Sequence, residues 1–252
     1  MPQIRLVVEY DGKPFSGWQA QPNVRTVQEE LHKALKTVLR EDIGLPVASG
    51  RTDAGVSARR QVVCFKSDSI DLENLQRVLV GVSSILKNEV AILAIDRVPD
   101  DFHPIHMAVA KQYSYRVWNH PSPPVLCYGS AMHVTGPISM EAMLSEASHL
   151  IGEHDFSSFR ATGCGASSPV RTVTSIDIER DGNVVEFRVV GQGFLKQMVR
   201  NIVGTLLEYG KDPERQPSCR EVLQAKDRSV AGPTAEPWGL SLDWVEYPEG
   251  RL

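Results

Sequence analysis

The most informative segment of the sequence is Gly50-Arg51-Thr52-Asp53-Ala54-Gly55, and an apolar run at residues 62–65 follows it. Glycines at both ends allow the backbone to take positive φ and let another segment or a ligand approach closely. The sequence therefore predicts a tight loop at a strand end, with Asp53 at its centre. Two interpretations of this carboxylate are open: an ionised nucleophile or base, or a turn aspartate bonded to its own backbone.

Arg51 stands two residues before Asp53. An opposite charge within about 4–6 Å favours the ionised form of a carboxyl group. The residues alone therefore indicate Arg51 as the partner that keeps Asp53 charged.

The composition of the 252-residue chain is 42% hydrophobic and 23% charged, which is typical of a globular protein with one large or two small domains. This excludes the disordered and fibrous classes. The net charge of −4 creates no overall positive field. A polyanionic partner would have to be bound by a local basic surface.

The four cysteines are scattered through the chain, without a C-x-x-C pair. Their spacing argues against a zinc site and against a disulfide framework, and it favours a reducing cytoplasm. The chain has no signal-peptide pattern and no apolar run of about 18 residues, so neither export nor a membrane span is expected.

Hydrophobic periodicity predicts strands and helices that alternate in two halves, residues 1–105 and 106–252. Strands are predicted at 4–10, 46–50, 61–66, 90–98, 110–118, 173–180, 184–190 and 241–247, and helices at 26–40, 71–86, 139–151, 193–208 and 220–225. Hairpin signals mixed with helices favour an α+β fold with antiparallel sheets over a doubly wound parallel sheet.

Two helices carry more specific predictions. Thr26 and Glu29 have the spacing of a capping box at the start of the first helix. Lys196 and Arg200 are four residues apart in the long helix predicted at 193–208, so both are expected to point the same way.

Signatures of other chemistries are weak. Gly191-Gln192-Gly193 lacks the third glycine of a dinucleotide loop, and no G-x-x-x-x-G-K-[ST] motif is present, so no nucleotide cofactor is expected. A metal phosphohydrolase would have to use His103, His106, His154 and Asp155. Pro104 breaks helical spacing within the first histidine pair, so no metal is expected.

Several basic residues stand next to glycine or aromatic residues, a pattern that suits phosphate contacts together with stacking on splayed-out RNA bases. They are Arg51, Arg59, Arg60, Lys111, Arg116, Arg160, Arg171, Lys196 and Arg200. For each one taken alone, the alternative is a solvated surface residue.

An ordered set of motifs then spans nearly the whole chain. It comprises Tyr10-Asp11-Gly12, Gly17-Trp18-Gln19, Thr26-Val27-Gln28, residues 50–56, Asp101-Phe102-His103, Tyr113-Ser114-Tyr115, residues 155–160 and residues 198–204. This set resembles the tRNA pseudouridine synthase A family.

The resemblance implies two ferredoxin-like halves whose antiparallel sheets join across a central RNA-binding cleft. The half at 1–105 would carry the catalytic loop, and the half at 106–252 would complete the cleft. It implies a cytoplasmic homodimer that converts uridine to pseudouridine in the tRNA anticodon stem-loop, at positions 38–40, without a cofactor or a metal.

The resemblance also implies roles for particular residues. Asp53 matches the essential aspartate, and its step is left open: attack at C1′, attack at C6, or removal of the 2′-proton. Tyr113 matches the tyrosine that contacts the substrate, whereas Tyr115 fits a core position. Arg200 matches the arginine paired with the catalytic aspartate, which leaves Arg51 for RNA. Leu240 matches an apolar residue that packs against the target uracil.

Departures from the family pattern at residues 102–108, at Ser57 and at residues 232–237 leave the target nucleotides open. A second alternative to the synthase is a catalytically dead RNA-binding protein. Retention of Arg51, Asp53, Tyr113 and Arg200 argues against it.

Overall fold

The computed structural model describes residues 1–71 and 73–252, so one position of the helix predicted at 71–86, Leu72, lies outside the described residues. In chain order the elements are β1 (Gln3–Tyr10), α1 (Val27–Leu39), β2 (Val47–Ala48), β3 (Ser57–Lys66), α2 (Leu75–Leu86), β4 (Val90–Val98), β5 (Ala110–Asn119), β6 (Met132–Val134), α3 (Met140–Ser148), β7 (Gly152–Asp155), β8 (Val170–Asp181), β9 (Val184–Gly191), α4 (Met198–Lys211), α5 (Cys219–Ala225), β10 (Leu240–Tyr247) and β11 (Gly250–Arg251). They form two compact units, residues 1–109 with 242–252, and residues 110–241.

The first unit is built on β1, which pairs antiparallel with β4 on one side and with β3 on the other. β2 pairs with β3, so the chain order β-α-β-β-α-β and the sheet order β4-β1-β3-β2 are those of a ferredoxin-like fold. Ile4, Leu6 and Val8 of β1 are fully buried on one face, and Val7 is buried on the other. β1 is therefore the central strand of the core of this unit.

The second unit contains an antiparallel sheet in the order β5-β9-β8-β7, with β6 parallel to β5. β8 and β9 form the predicted hairpin, which turns between Asp181 and Val184, and Gly182 takes φ +55° there. Tyr115 of β5 lies opposite Phe187 of β9, and both are fully buried. The predicted α+β class, with antiparallel sheets, is confirmed.

The C-terminal segment, residues 242–252, packs with the rest of the first unit. Val109 N donates to Glu246 O (2.8 Å), and the Tyr247 hydroxyl donates to Pro104 O (2.8 Å). Arg5 Nη1 lies 2.6 Å from a carboxylate oxygen of Glu249. Residues 242–252 therefore belong to the same compact unit as residues 1–109. The predicted division of function between residues 1–105 and 106–252 stays a prediction.

The capping box predicted at Thr26 is wrong. α1 begins at Val27 as expected, but Thr26 Oγ1 is buried and has no hydrogen-bond partner among the described residues. The backbone supplies the cap instead: Val27 N donates to Gly17 O (3.2 Å), and Gln28 N donates to Trp18 O (3.0 Å). These carbonyls satisfy N–H groups that a helix N-terminus leaves without intrahelical partners.

The start predicted for the second helix is also wrong, because α2 begins at Leu75. Asp71 forms a turn before it: its side chain accepts the N–H of Glu73 (3.0 Å), and its carbonyl accepts the N–H of Asn74 (3.2 Å). A short polar side chain that bonds local N–H groups competes with helix formation at this position.

α4 is the most deeply buried helix of the second unit, and residues 232–235 cross it backbone against backbone. A Cβ added to Gly204 would lie 1.8 Å from Pro233 O. Ala235 N donates to Arg200 O (3.1 Å), which ties the crossing segment to the helix. A glycine is therefore required at position 204 for close approach, although glycine is a poor helix former.

We predict that Gly204→Ala lowers the free energy of unfolding by about 2 kcal/mol, because the added methyl overlaps a backbone carbonyl and outweighs the better helix propensity of alanine. Urea unfolding measures the change. Gly165→Ala is the matched control, since nothing lies within 4 Å of a Cβ there. Equal stabilities of the two variants would contradict this account of the contact.

Candidate active site

Asp53 lies on the loop 49–56, which connects β2 to β3. Its side chain is half-buried, whereas Arg51 is exposed and Thr52 is buried. The loop thus turns one cation towards solvent and keeps its hydroxyl inside.

Backbone hydrogen bonds hold the loop on both sides of Asp53. Trp18 N donates to Thr52 O (3.1 Å), and Gly55 N donates to Phe15 O (3.3 Å). Gly17 has φ +92°, and a Cβ there would lie 2.8 Å from Thr52 O. Only glycine fits this position without strain, so the Gly17-Trp18-Gln19 motif shapes the loop that carries Asp53.

A buried side-chain network supports the loop from below. The Tyr10 hydroxyl and Thr52 Oγ1 are 2.8 Å apart, and Gln61 Nε2 donates to Gly50 O (3.0 Å). Burial raises the pKa of Tyr10 to about 12, although hydrogen bonds with Thr52 and Gln61 oppose this shift. Tyr10 therefore stays neutral and acts as a fixed hydrogen-bonding support.

Tyr113 lies on β5, opposite Val189 of β9, with its side chain 8% exposed. Its ring meets the ring of Phe194 edge-on, with centroids 5.3 Å apart. Tyr115 is fully buried, and its hydroxyl donates to Glu236 O (2.8 Å). The interpretation of Tyr115 as a core residue is confirmed, and Tyr113 is the more accessible of the two.

The predicted common face of Lys196 and Arg200 is wrong. Gln197, at the N-cap of α4, has φ +60°, so the helix begins only at Met198 and Lys196 precedes it. Lys196 is exposed, whereas Arg200 is 9% exposed and donates from Nε to Ala235 O (2.8 Å). A left-handed residue between them removes the helical spacing on which the prediction depended.

Leu240 is buried at the start of β10, with 6% of its surface exposed. Its N–H donates to Pro237 O, which closes a short 3₁₀ turn over Pro237–Gly239. A Cβ on Gly239 would lie 2.7 Å from the Tyr115 ring. Leu240 is thus fixed in the same neighbourhood as Tyr115.

The histidines considered as metal ligands have local roles. Nδ1 of His103 accepts N–H groups from Ile105 (3.2 Å) and His106 (3.4 Å). His154 Nε2 contacts Ile151 O (3.0 Å). The carboxylate of Asp155 accepts hydrogen bonds from the N–H and the hydroxyl of Ser157. Over residues 1–71 and 73–252, no group of three or more metal-binding side chains lies together.

Known proteins similar to this chain identify its family. A family model described as tRNA pseudouridine synthase matches residues 147–248. A tRNA pseudouridine synthase A from Myxococcus xanthus is 40% identical over 251 residues, covering 99% of this chain and 94% of the relative. Another, from Geotalea uraniireducens, is 41% identical over 247 residues, covering 98% of this chain and 100% of the relative. The chain belongs to the tRNA pseudouridine synthase A family.

Membership of this family confirms the predicted enzyme class, an isomerase of the tRNA pseudouridine synthases. Among the helices in the described part of the chain, none has both the length and the apolar character needed to cross a bilayer. The residues proposed from the family motifs, Asp53, Tyr113, Arg51, Leu240 and Arg200, stay predictions.

Two solved structures resemble the chain at low identity. A crystal structure of an archaeal box H/ACA sRNP Nop10–Cbf5 complex has a TM-score of 0.39 at 15% identity, covering 94% of this chain and 46% of that chain. A Cbf5–Nop10–Gar1 complex has a TM-score of 0.39 at 12% identity, covering 94% of this chain and 57% of that chain. This chain spans about half the length of those solved chains.

Residue-by-residue interpretation of the sequence missed the supports of the Asp53 loop. Tyr10, Thr52 and Gln61 carry the network beneath it, and Gly17 gives it room. Tyr10 and Gly17 stand in two of the motifs that carry the resemblance. Their position in these motifs was the signal in the sequence that could have indicated a role in supporting the Asp53 loop.

We predict that Tyr10→Phe destabilises the protein by about 1–3 kcal/mol, because it leaves the buried Thr52 hydroxyl without its partner. Amide hydrogen exchange at residues 51–56 should become faster, since the loop loses its buried support. Tyr128→Phe is the control: Tyr128 is 78% exposed. Unchanged exchange at the loop in Tyr10→Phe would show that the hydroxyl does not support it.

Proposed function

We propose that this chain converts uridine to pseudouridine in the anticodon stem-loop of tRNA, at positions 38–40, with Asp53 as the essential carboxylate. The observation that carries the proposal is the half-buried Asp53 on a loop fixed at Thr52 and Gly55, in a member of this family. A fixed carboxylate needs little reorganisation when the substrate arrives.

The reaction breaks the C1′–N1 glycosidic bond, turns the uracil and joins C5 to C1′. A carboxylate can act at C1′ as a nucleophile, at C6 as a nucleophile, or as the base that removes the 2′-proton. All three routes require a charged Asp53 at a defined position. We propose that Arg200 forms the ion pair that keeps it charged, which leaves Arg51 for RNA.

The target base is stacked in the RNA and must be flipped out, which costs a few kcal/mol. We propose that Tyr113 offsets this by stacking on the flipped uracil, and that Leu240 packs against the same base. The edge-on contact with Phe194 supports this role, because it fixes the orientation of the Tyr113 ring before the substrate binds.

A net charge of −4 makes tRNA binding depend on local basic surfaces, with an affinity that falls as salt rises. Exposed Arg51 supports a contact with RNA beside the catalytic loop. We further propose a cytoplasmic homodimer in which the partner helps to hold one tRNA.

We predict that Asp53→Asn abolishes pseudouridine formation while tRNA affinity changes less than about threefold, because the amide keeps the size but loses the charge needed for reaction. The measurement is mass-spectrometric mapping of pseudouridine in unmodified tRNA transcripts. Wild-type turnover in this variant would refute the role of Asp53. Pseudouridine outside the anticodon stem-loop would refute the target.

We predict that Tyr113→Phe lowers kcat at least tenfold, since a phenol can also handle the proton at C5. Single-turnover assays separate this effect from binding. Phe194→Leu is the companion variant: it should weaken the orientation of the ring and affect the rate less. An undiminished rate in Tyr113→Phe would assign Tyr113 to packing alone.

A further inference from the structure

The segment at residues 161–168, here called the glycine loop, leads from the 3₁₀ turn Ser157–Phe159 towards β8. It is docked on the residues before α4: Ala161 N donates to Lys196 O (3.1 Å), and Lys196 N donates to Cys164 Sγ (3.5 Å). Three basic residues, Arg160, Arg171 and Lys196, lie beside this loop, and residues 156–176 and 189–199 contain no acidic residue. This region of an acidic chain is locally positive.

Two cations hold the carbonyl groups of the glycine loop. Arg160 Nη2 donates to Cys164 O (2.7 Å) and to Ala166 O (2.7 Å). Lys196 Nζ donates to Thr162 O (3.3 Å). Alternate peptide units of the loop are thus oriented by positive side chains.

In a trans peptide the N–H points opposite to the C=O of the preceding residue. The N–H groups of Gly163, Gly165 and Ser167 therefore point away from the cations that bind the carbonyls. All three residues are exposed, and no acceptor within the described chain bonds these N–H groups. The loop thus exposes backbone N–H donors to solvent, and the cations Arg160 and Lys196 lie on its opposite side.

Exposed backbone N–H groups are donors that proteins use to bind phosphate oxygens of nucleic acids. Because the carbonyls of Cys164 and Ala166 converge on one nitrogen of Arg160, the N–H groups of Gly165 and Ser167 point outward and apart, which suits successive phosphates of a chain better than one small anion. We propose that the glycine loop binds backbone phosphates of the tRNA substrate. This inference rests on the proposed function for its ligand.

Cys164 provides a reporter inside the loop. It is half-buried, and although burial opposes the shift, hydrogen bonds from the N–H groups of Lys196 and Ala166 lower the pKa of its thiol. Burial raises the pKa of Cys64 to about 12 and also raises that of Cys219. Cys164 and the half-buried Cys127 are therefore the thiols expected to react with an alkylating reagent.

The decisive comparison is Gly165→Asp against Gly165→Asn, because these side chains have the same size and differ in charge. Nothing lies within 4 Å of a Cβ at Gly165 or at Gly44, so Gly44→Asp adds the same charge at an exposed site elsewhere. Urea unfolding verifies that all three variants are as stable as the wild type. The measurement is the Kd for an unmodified tRNA transcript at several salt concentrations.

We expect Gly165→Asp to raise Kd about fivefold at low salt, since repulsion between two negative charges about 4 Å apart in water costs about 1 kcal/mol, and to lose this effect as salt rises. Gly165→Asn and Gly44→Asp should stay within about twofold of the wild type. Equal affinities for Gly165→Asp and Gly165→Asn, or an equal loss in Gly44→Asp, would overturn the proposal.

Alkylation of Cys164 by iodoacetamide should slow at saturating tRNA, while alkylation of Cys127 keeps its rate. Undiminished alkylation of Cys164 would also overturn the proposal. An assay of pseudouridine formation distinguishes failure of the proposed reaction from failure of the glycine-loop proposal. A wild-type protein that binds tRNA without forming pseudouridine refutes the proposed reaction and leaves the comparison at Gly165 valid. If the wild type forms pseudouridine normally and Gly165→Asp keeps the wild-type affinity for tRNA, only the proposed phosphate binding by the glycine loop is refuted.

Discussion

The second unit depends on satisfying the polar groups that α4 carries into its core. Asn201 and Thr205 are almost completely buried, and unpaired polar groups there would each cost about 1–3 kcal/mol. Asn201 Nδ2 donates to Phe159 O, and Asn201 Oδ1 accepts from Thr234 and Arg228. Thr205 Oγ1 accepts the N–H of Gly232. Residues 232–235 thus complete the hydrogen bonding of the helix, and the same contact determines where Arg200 lies.

This arrangement also shows what residues 232–235 do in the fold. Gly232 and Pro233 pass so close to α4 that a Cβ at Gly232 would lie 2.6 Å from the Thr205 backbone. Thr234 and Arg228 supply side-chain hydrogen bonds inside the contact. The backbone of this segment is therefore fixed by its contact with the helix.

The sequence predicted most strands and helices, because alternation and helical spacing are local properties of the chain. Its errors have specific causes. The predicted Thr26 cap is wrong because the carbonyls of Gly17 and Trp18 accept the first N–H groups of the helix, a tertiary contact. The Lys196–Arg200 face failed because one left-handed residue, Gln197, lies between them. Periodicity does not reveal such a residue. The proposal for Asp53 comes from its motif, whereas the contacts of Tyr10, Thr52 and Gln61 beneath its loop are tertiary and cannot be derived from local sequence patterns.

The locally positive region around the glycine loop has a kinetic consequence. A chain with a net charge of −4 repels a polyanion in most orientations, while a surface that carries exposed cations such as Lys196 attracts it. Encounters with a polyanion would therefore be orientationally biased before any contact forms. Productive collisions would become a larger share of all collisions, and the cations beside the loop would select the direction of approach as well as the strength of binding.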